Sequence, residues 1–231
     1  MSTETDVGTD TRVPLTRERV LRTAVALADQ GGIESLSMRR LAQALDVVPM
    51  ALYRHVANKD ELLNALVDVV VGEIDPPLEG ADWKTTIRAR ILSARRALLR
   101  HPWASRLIES RTSPTPVVLG YMDSMIGLFR TGGFSLDSTH HALHAIGSRM
   151  FGFTQEVFND TSDADPAADA EMWTAMADTY PYIFEIFMAI SHDDASTVGP
   201  GCDDQFEFEF ALDLMLDGLE KLKHRSPGSG D

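Results

Sequence analysis

The sequence has a single cysteine, Cys202, in 231 residues. That excludes an internal disulfide framework and fits a reducing, cytoplasmic setting. No apolar run approaches the roughly 20 residues that a membrane-spanning helix needs. The first residues also lack the basic-then-apolar pattern of a secretory signal. Motifs of catalysis are missing too. There is no G-x-S-x-G, no Walker loop and no H-E-x-x-H, and no basic residue is evident beside the cysteine to activate it. His140 and His144 are four apart, so one helix face offers both to a metal, but no third ligand accompanies them. The sequence therefore predicts no catalytic residue, no metal and no cofactor. Positive charge is also scarce: 21 Lys and Arg stand against 35 Asp and Glu, a net charge of −14. Taken alone, that balance argues against a nucleic-acid partner.

The distribution of charge reverses this locally. From Thr11 to Asp60, eight basic residues outnumber five acidic ones, a net charge of +3. From Met122 to Glu220 only Arg130 and Arg149 are basic. A basic head on an acidic body suits DNA at one end only. The basic head contains the stretch Ser37–Lys59, SMRRLAQALDVVPMALYRHVANK. Met38, Leu41, Ala42 and Leu45 recur at three- and four-residue steps and share one helix face, with Ser37 as N-cap. Asp46-Val47 forms a turn. A second short helix follows from about Val48, with Pro49 tolerated in its first turn. Leu52 and Val56 face inward, which leaves Pro49, Met50, Ala51, Tyr53, Arg54 and His55 outward. A short basic and aromatic surface on a packed helix pair is what a helix-turn-helix presents to a DNA major groove.

The run LAQALDVVPMALYRHVANKDELLNAL resembles the DNA-binding domain of the TetR family of transcriptional regulators almost position by position. The rest of the chain reads as all-α. Residues 1–13 form a polar, acidic arm read as disordered. The helix-turn-helix domain spans 14–60, beginning with a helix capped by Thr16 and ending at Gly31-Gly32. A connecting helix capped by Asn58 covers 61–75 and stops before Pro76-Pro77. The body runs from 76 to 224 and a tail from 225 to 231. Asp82 caps a helix to about Arg100, with Leu98 and Leu99 inward and Arg88, Arg90, Arg95 and Arg96 outward. The next helix places Met122, Met125, Ile126 and Phe129 on one stripe. A long helix from Ser135 or Asp137 reaches Phe158. A loop at 159–168, a helix at 169–190 that Pro181 must interrupt or restart, and a loop at 192–202 follow. Phe206-Glu-Phe-Glu-Phe210 alternates like a strand, but the helical steps continued by Leu212, Met215, Leu216 and Leu219 predict a helix over 203–223. Its polar residues form one narrow line, Glu209, Asp213 and Asp217. So wide an apolar surface is buried on more than one side, within the monomer or against a second subunit.

Resemblance extends through the body, where DWKTTIRARILSARRALLRHPWASRLIESR, the GGFS turn and FEFALDLMLDGLEKL look like the ligand-binding domain of the tetracycline-repressor branch. This implies a ligand-responsive regulator, most simply a repressor. It would bind a palindromic double-stranded operator as a homodimer, through the 137–158 and 203–223 helices, and be released by a small-molecule effector. Residue roles follow from the same resemblance. Arg39 matches a second-helix arginine used against guanine. Met50 and Ala51 can touch a thymine methyl. Tyr53, His55 and Lys59 align with phosphate-gripping positions. Arg54 can read a base or a phosphate, and Thr16, Arg17, Ser37 and Arg40 flank the same face. Pocket candidates are Trp103, Arg106, Tyr121, Met122, Met125, His140, His144, Phe151 and Gln155, with plain core packing as the alternative role. Tetracycline repressors carry a histidine near the end of the fourth helix, and Asp75 falls at that position. The competing classes are an enzyme, which lacks its motifs, and a helical interaction module, which would not bind DNA with salt dependence.

Overall fold

In the computed structural model, the described residues are 14–152, 174, 177–185, 198–199, 201–202 and 204–223. The expected arm, the 159–168 loop, the end of the long helix and the tail lie outside them. The elements are α1 (Arg17–Gly31), a 3-10 turn (Ile33–Ser35), α2 (Met38–Ala44), α3 (Pro49–Leu52), α4 (Lys59–Gly72), α5 (Trp83–Arg100), α6 (Ala104–Ser110), α7 (Pro116–Thr131), α8 (Leu136–Gly152) and α9 (Asp204–Lys223). Residues 181–185 are also helical, starting at Pro181. Among the described residues the only strand pairing is the two-residue ladder of Val198–Gly199 with Gly201–Cys202, so the fold is all-α.

Helix starts follow the expected caps. Thr16 Oγ1 accepts from Arg19 N–H at 3.2 Å, Ser37 Oγ from Arg40 N–H at 3.2 Å, and Asn58 Oδ1 from Glu61 N–H at 2.8 Å. Asp82 receives both Thr85 N–H and Thr85 Oγ1–H, which hold its carboxyl below the usual carboxylate range. Ser135 rather than Asp137 caps α8, accepting from Ser138 N–H at 3.0 Å. Each cap satisfies an amide that the helix leaves without a partner.

Two compact units divide the chain. One joins the chain up to Pro76 with Ser93–Ser124; the other joins Pro77–Leu92 with the chain from Met125 onward. In the first, Val20, Ala24 and Ala28 of α1, Leu41 and Ala42 of α2, Leu52, Val56 and the inner face of α4 make one core with Ala97, Trp103, Ala104 and Leu107. Side chains separated in sequence also meet there. His101, 7% exposed, places Nδ1 2.8 Å from Asp29 Oδ1 and Nε2 3.2 Å from Glu73 Oε1. Trp103 Nε1–H donates to the same Asp29 oxygen at 2.7 Å.

In the second unit, Phe129 and Phe134 meet edge to face at 5.3 Å, and Trp83 meets Phe134 at 4.6 Å. Gly132 lets that cluster close, because a Cβ there would lie 2.7 Å from Trp83 Cγ. Helix α9 buries Phe208, Leu212 and Leu216. Its acidic line meets a basic line on α5. Arg88 donates to Asp213 at 2.6 and 3.0 Å and to Glu209 at 2.7 Å, and Lys84 pairs with Asp217. The Gln205 amide and then Arg88 hold the Glu209 carboxyl below its ordinary range, and Lys84 does the same for Asp217. Its hydrogen bonds to Asp213 and Glu209 push the Arg88 guanidinium up.

Carboxyls depressed in the folded state add stability that is present above their unfolded values and is lost as pH falls through the lower, folded ones. Thermal melts should therefore show the Glu209 and Asp217 contribution intact at neutral pH and failing below about pH 4. Arg88→Met should cost about 1 kcal/mol at pH 7, since the pairs are partly solvated, and should shrink that acid loss. An unchanged acid profile in this variant would contradict the assignment.

Four expectations for side chains are corrected. Arg90 and Arg95, expected outward, are buried at 5% and 8% exposure, whereas Leu99 and Met122, expected inward, are 58% and 48% exposed. Helix α5 changes unit between Leu92 and Ser93, and α7 between Ser124 and Met125. Neither helix therefore keeps one inward face along its length.

Candidate nucleic-acid interface

Helix α3 is only four residues long, too short to persist alone. It is held by Leu52, fully buried, and by Val56 at 1% exposure. The turn before it is tightened by Val47 N–H donating to the Ala42 carbonyl at 3.0 Å. Asp46 there adopts φ = 53°, a left-handed conformation that aspartate tolerates better than most residues. These contacts leave Val48, Pro49, Met50, Tyr53 and Arg54 exposed, with Ala51 and His55 half-buried. Arg39 and Arg40 of α2 and Lys59 at the start of α4 are exposed as well, as are the capping residues Thr16 and Ser37. An open groove of about 730 Å³ beside this surface is lined by Leu15, Arg19, Gln43, Val47, Val48 and Ala51 among others.

Arg17 has a second task. Its Nη1 donates to the His55 carbonyl at 2.7 Å and to Glu61 Oε1 at 3.1 Å, while about half of its side chain stays exposed. Glu61 Oε2 also accepts from Ala57 N–H at 2.6 Å. The α1 start, the end of the reading segment and the α4 start are thus tied by one Arg-Glu pair. In sequence, Glu61 reads only as a first-turn acid of α4 favoured by the helix dipole. The signal for it was the Asn58-x-x-Glu61 spacing of a capping box.

The candidate pocket residues divide between the units. Trp103, Arg106, Tyr121 and Met122 belong to the first, and Met125, His140, His144 and Phe151 to the second. Trp103 and Met125 are buried, Tyr121 and Phe151 half-buried, and Arg106, Met122, His140 and His144 exposed. The His140 and His144 rings lie 4.5 Å apart. Among the described residues, no group of three or more His, Cys, Asp or Glu side chains is arranged to hold a metal ion. Gln155 lies outside the described residues.

Known proteins match both parts of the chain. Residues 20–66 match the family described as bacterial regulatory proteins, tetR family, and residues 76–223 match the tetracyclin repressor-like C-terminal domain. The chain belongs to the TetR family. It is 32% identical over 212 residues to the class C tetracycline repressor protein of Escherichia coli, covering 90% of this chain and 92% of that one. It is 30% identical over 217 residues to the HTH-type transcriptional repressor DrrR1 of Streptomyces coeruleorubidus, covering 90% and 78%. Among solved structures, the Streptomyces coelicolor TetR-family protein ActR, crystallised with actinorhodin, superimposes with a TM-score of 0.69 at 25% identity, over 93% of this chain and all of that one.

A TetR-family chain of this kind is a DNA-binding transcriptional regulator rather than an enzyme. No helix among the described residues is long and apolar enough to cross a membrane. Asp75 follows the end of α4. Its carboxylate accepts from Ser93 Oγ–H and from Arg96 Nη2–H, both at 2.8 Å, and its N–H donates to Ser93 Oγ at 2.9 Å. The residue at this position is therefore engaged by α5 of its own chain.

Proposed function

We propose that the protein is a cytoplasmic repressor that binds a palindromic operator as a homodimer and leaves it when a small organic effector binds the body. The carrying observation is the reading surface. A packed TetR-type helix pair exposes Arg39, Met50, Tyr53 and Arg54 while burying Leu52 and Val56. In this reading the head at 14–60 is joined by 61–75 to the effector-binding body at 76–224. Arg39 contacts a guanine edge, and Tyr53, His55 and Lys59 hold phosphates. Thr16, Ser37 and Arg40 border them, and Arg17 chiefly positions the His55 backbone.

The homodimer is proposed through α8 and α9. Phe206, Phe210 and Leu214 recur at four-residue steps along α9 and are 41–58% exposed. A helix stripe of that kind needs a cover. Because Asp75 stands where the resemblance implies a histidine, the effector is expected to differ from tetracycline at that contact.

Fluorescence anisotropy on duplex DNA from upstream of the protein's own gene, against a shuffled duplex over a salt series, tests the assignment. Preferred, salt-sensitive binding at two protomers per site is expected. Arg39→Ala should relax base preference, worth about 1–3 kcal/mol at the contacted pair. Lys59→Ala should weaken all duplexes alike and flatten the salt slope by about one unit. Absence of binding to any duplex at low salt would overturn the proposal.

A further inference from the structure

We propose that the effector carries a carboxylate, taken by Arg111 at a small cavity between α4 and the connection from α6 to α7. The inference rests on the regulator assignment above and specifies the chemistry of its effector. The cavity measures about 100 Å³ and is lined by Asn64, Val67, Ile108, Arg111, Ser113 and Val118 among others. All of these belong to the unit that carries the head. Arg111 is the anomaly among them. Its side chain is only 23% exposed, and its Nε is buried with no hydrogen-bond partner among the described residues. Its Nη1 donates to the neutral Asn64 Oδ1 at 3.2 Å and stands 3.6 Å from Asp60, a side chain 83% exposed to solvent. Asp68 is engaged elsewhere, accepting from the hydroxyl of Thr115.

A buried guanidinium N–H without an acceptor is costly to the fold. A carboxylate resolves it, because its two oxygens match the planar N–H fork in a charge-assisted pair. The rest of the wall decides what that carboxylate is attached to. Val67, 2% exposed, Ile108 and Val118 are apolar, which suits a hydrocarbon body and not a hydrated inorganic ion. A cationic effector would meet the guanidinium as a like charge. With a net charge of −14, the protein as a whole does not gather anions, so an acid that binds does so through this local cation. Asn64 and Val67 lie on α4, which shares the head core with α1 and α2 through Leu62 and Leu66. An acid bound here therefore touches an element of the head.

The test uses benzoate as the probe and benzamide, its uncharged counterpart of similar shape, as the control, on the full-length protein at constant ionic strength. Benzoate should raise the melting temperature with a concentration dependence that gives an affinity about tenfold above that of benzamide. Arg111→Gln should erase the difference. Arg111→Lys, which keeps the charge and removes the fork, should recover only part of it. Saturating benzoate should also weaken operator binding by the native protein and not by Arg111→Gln. Equal affinities for benzoate and benzamide, a preference that survives Arg111→Gln, or operator affinity indifferent to bound benzoate would overturn the inference and leave the regulator assignment standing. A protein that binds benzoate through Arg111 but no duplex at low salt would keep the acid site and lose the regulator assignment.

Discussion

Replacing Trp103 by alanine is expected to destabilise the unit carrying the DNA-binding head by about 3–5 kcal/mol. The indole is 6% exposed and lies in the core shared by α1, α4 and α6. Its Nε1–H also donates to Asp29, so the loss combines a cavity with a broken charge-assisted bond. Trp103→Phe separates the two. It keeps most of the ring volume and removes the donor, and should cost about 1–2 kcal/mol, because Asp29 retains His101. Urea unfolding of both variants checks the pair. Equal losses would show that the hydrogen bond carries the effect and the packing none of it. If Trp103 also touches an effector, that role must be measured in Trp103→Phe, since the alanine variant will be unfolding.

The second large effect is expected at Leu66. It is fully buried in the same core, at the middle of α4. Leu66→Ala should cost about 2–5 kcal/mol and should abolish operator binding at temperatures where the native protein still binds. Lys59→Ala in the same helix is the control: Lys59 is exposed, so its stability should remain within about 0.5 kcal/mol of native while DNA affinity falls. Parallel denaturation and anisotropy measurements decide the matter. A Leu66→Ala protein with native stability would show that the α4 core tolerates a void of that size.

Most of the helices were legible because local rules agree along the chain. Three- and four-residue steps marked the inner face of α2. Thr16, Ser37, Asn58 and Asp82 announced helix starts, Ser135 and Asp137 were both candidates for the start of α8, and Gly31-Gly32 marked an end. The exposed surface around α3 was legible for the same reason, since an amphipathic pair that buries Leu41, Ala42, Leu52 and Val56 must expose what lies between. What stayed hidden depends on partners far away in sequence. Nothing local to His101 points to Asp29, 72 residues earlier. The Glu209-Asp213-Asp217 line was visible, but its pairing with Lys84 and Arg88 needs two helices more than 120 residues apart to be side by side. Arg90 and Arg95 were assigned outward on their charge, yet both are buried. The likeness to relatives marked candidate reading positions, but it could not foresee that Arg17 would brace the His55 carbonyl.

The division of labour around α3 bears on how such a protein changes over generations. The residues that keep the segment folded, Leu52 and Val56, are not those that face outward, Val48, Met50, Tyr53 and Arg54. Substitutions in the second set leave the first untouched. Duplicated copies of the gene can therefore drift toward new operators by single steps, each copy remaining a stable protein throughout.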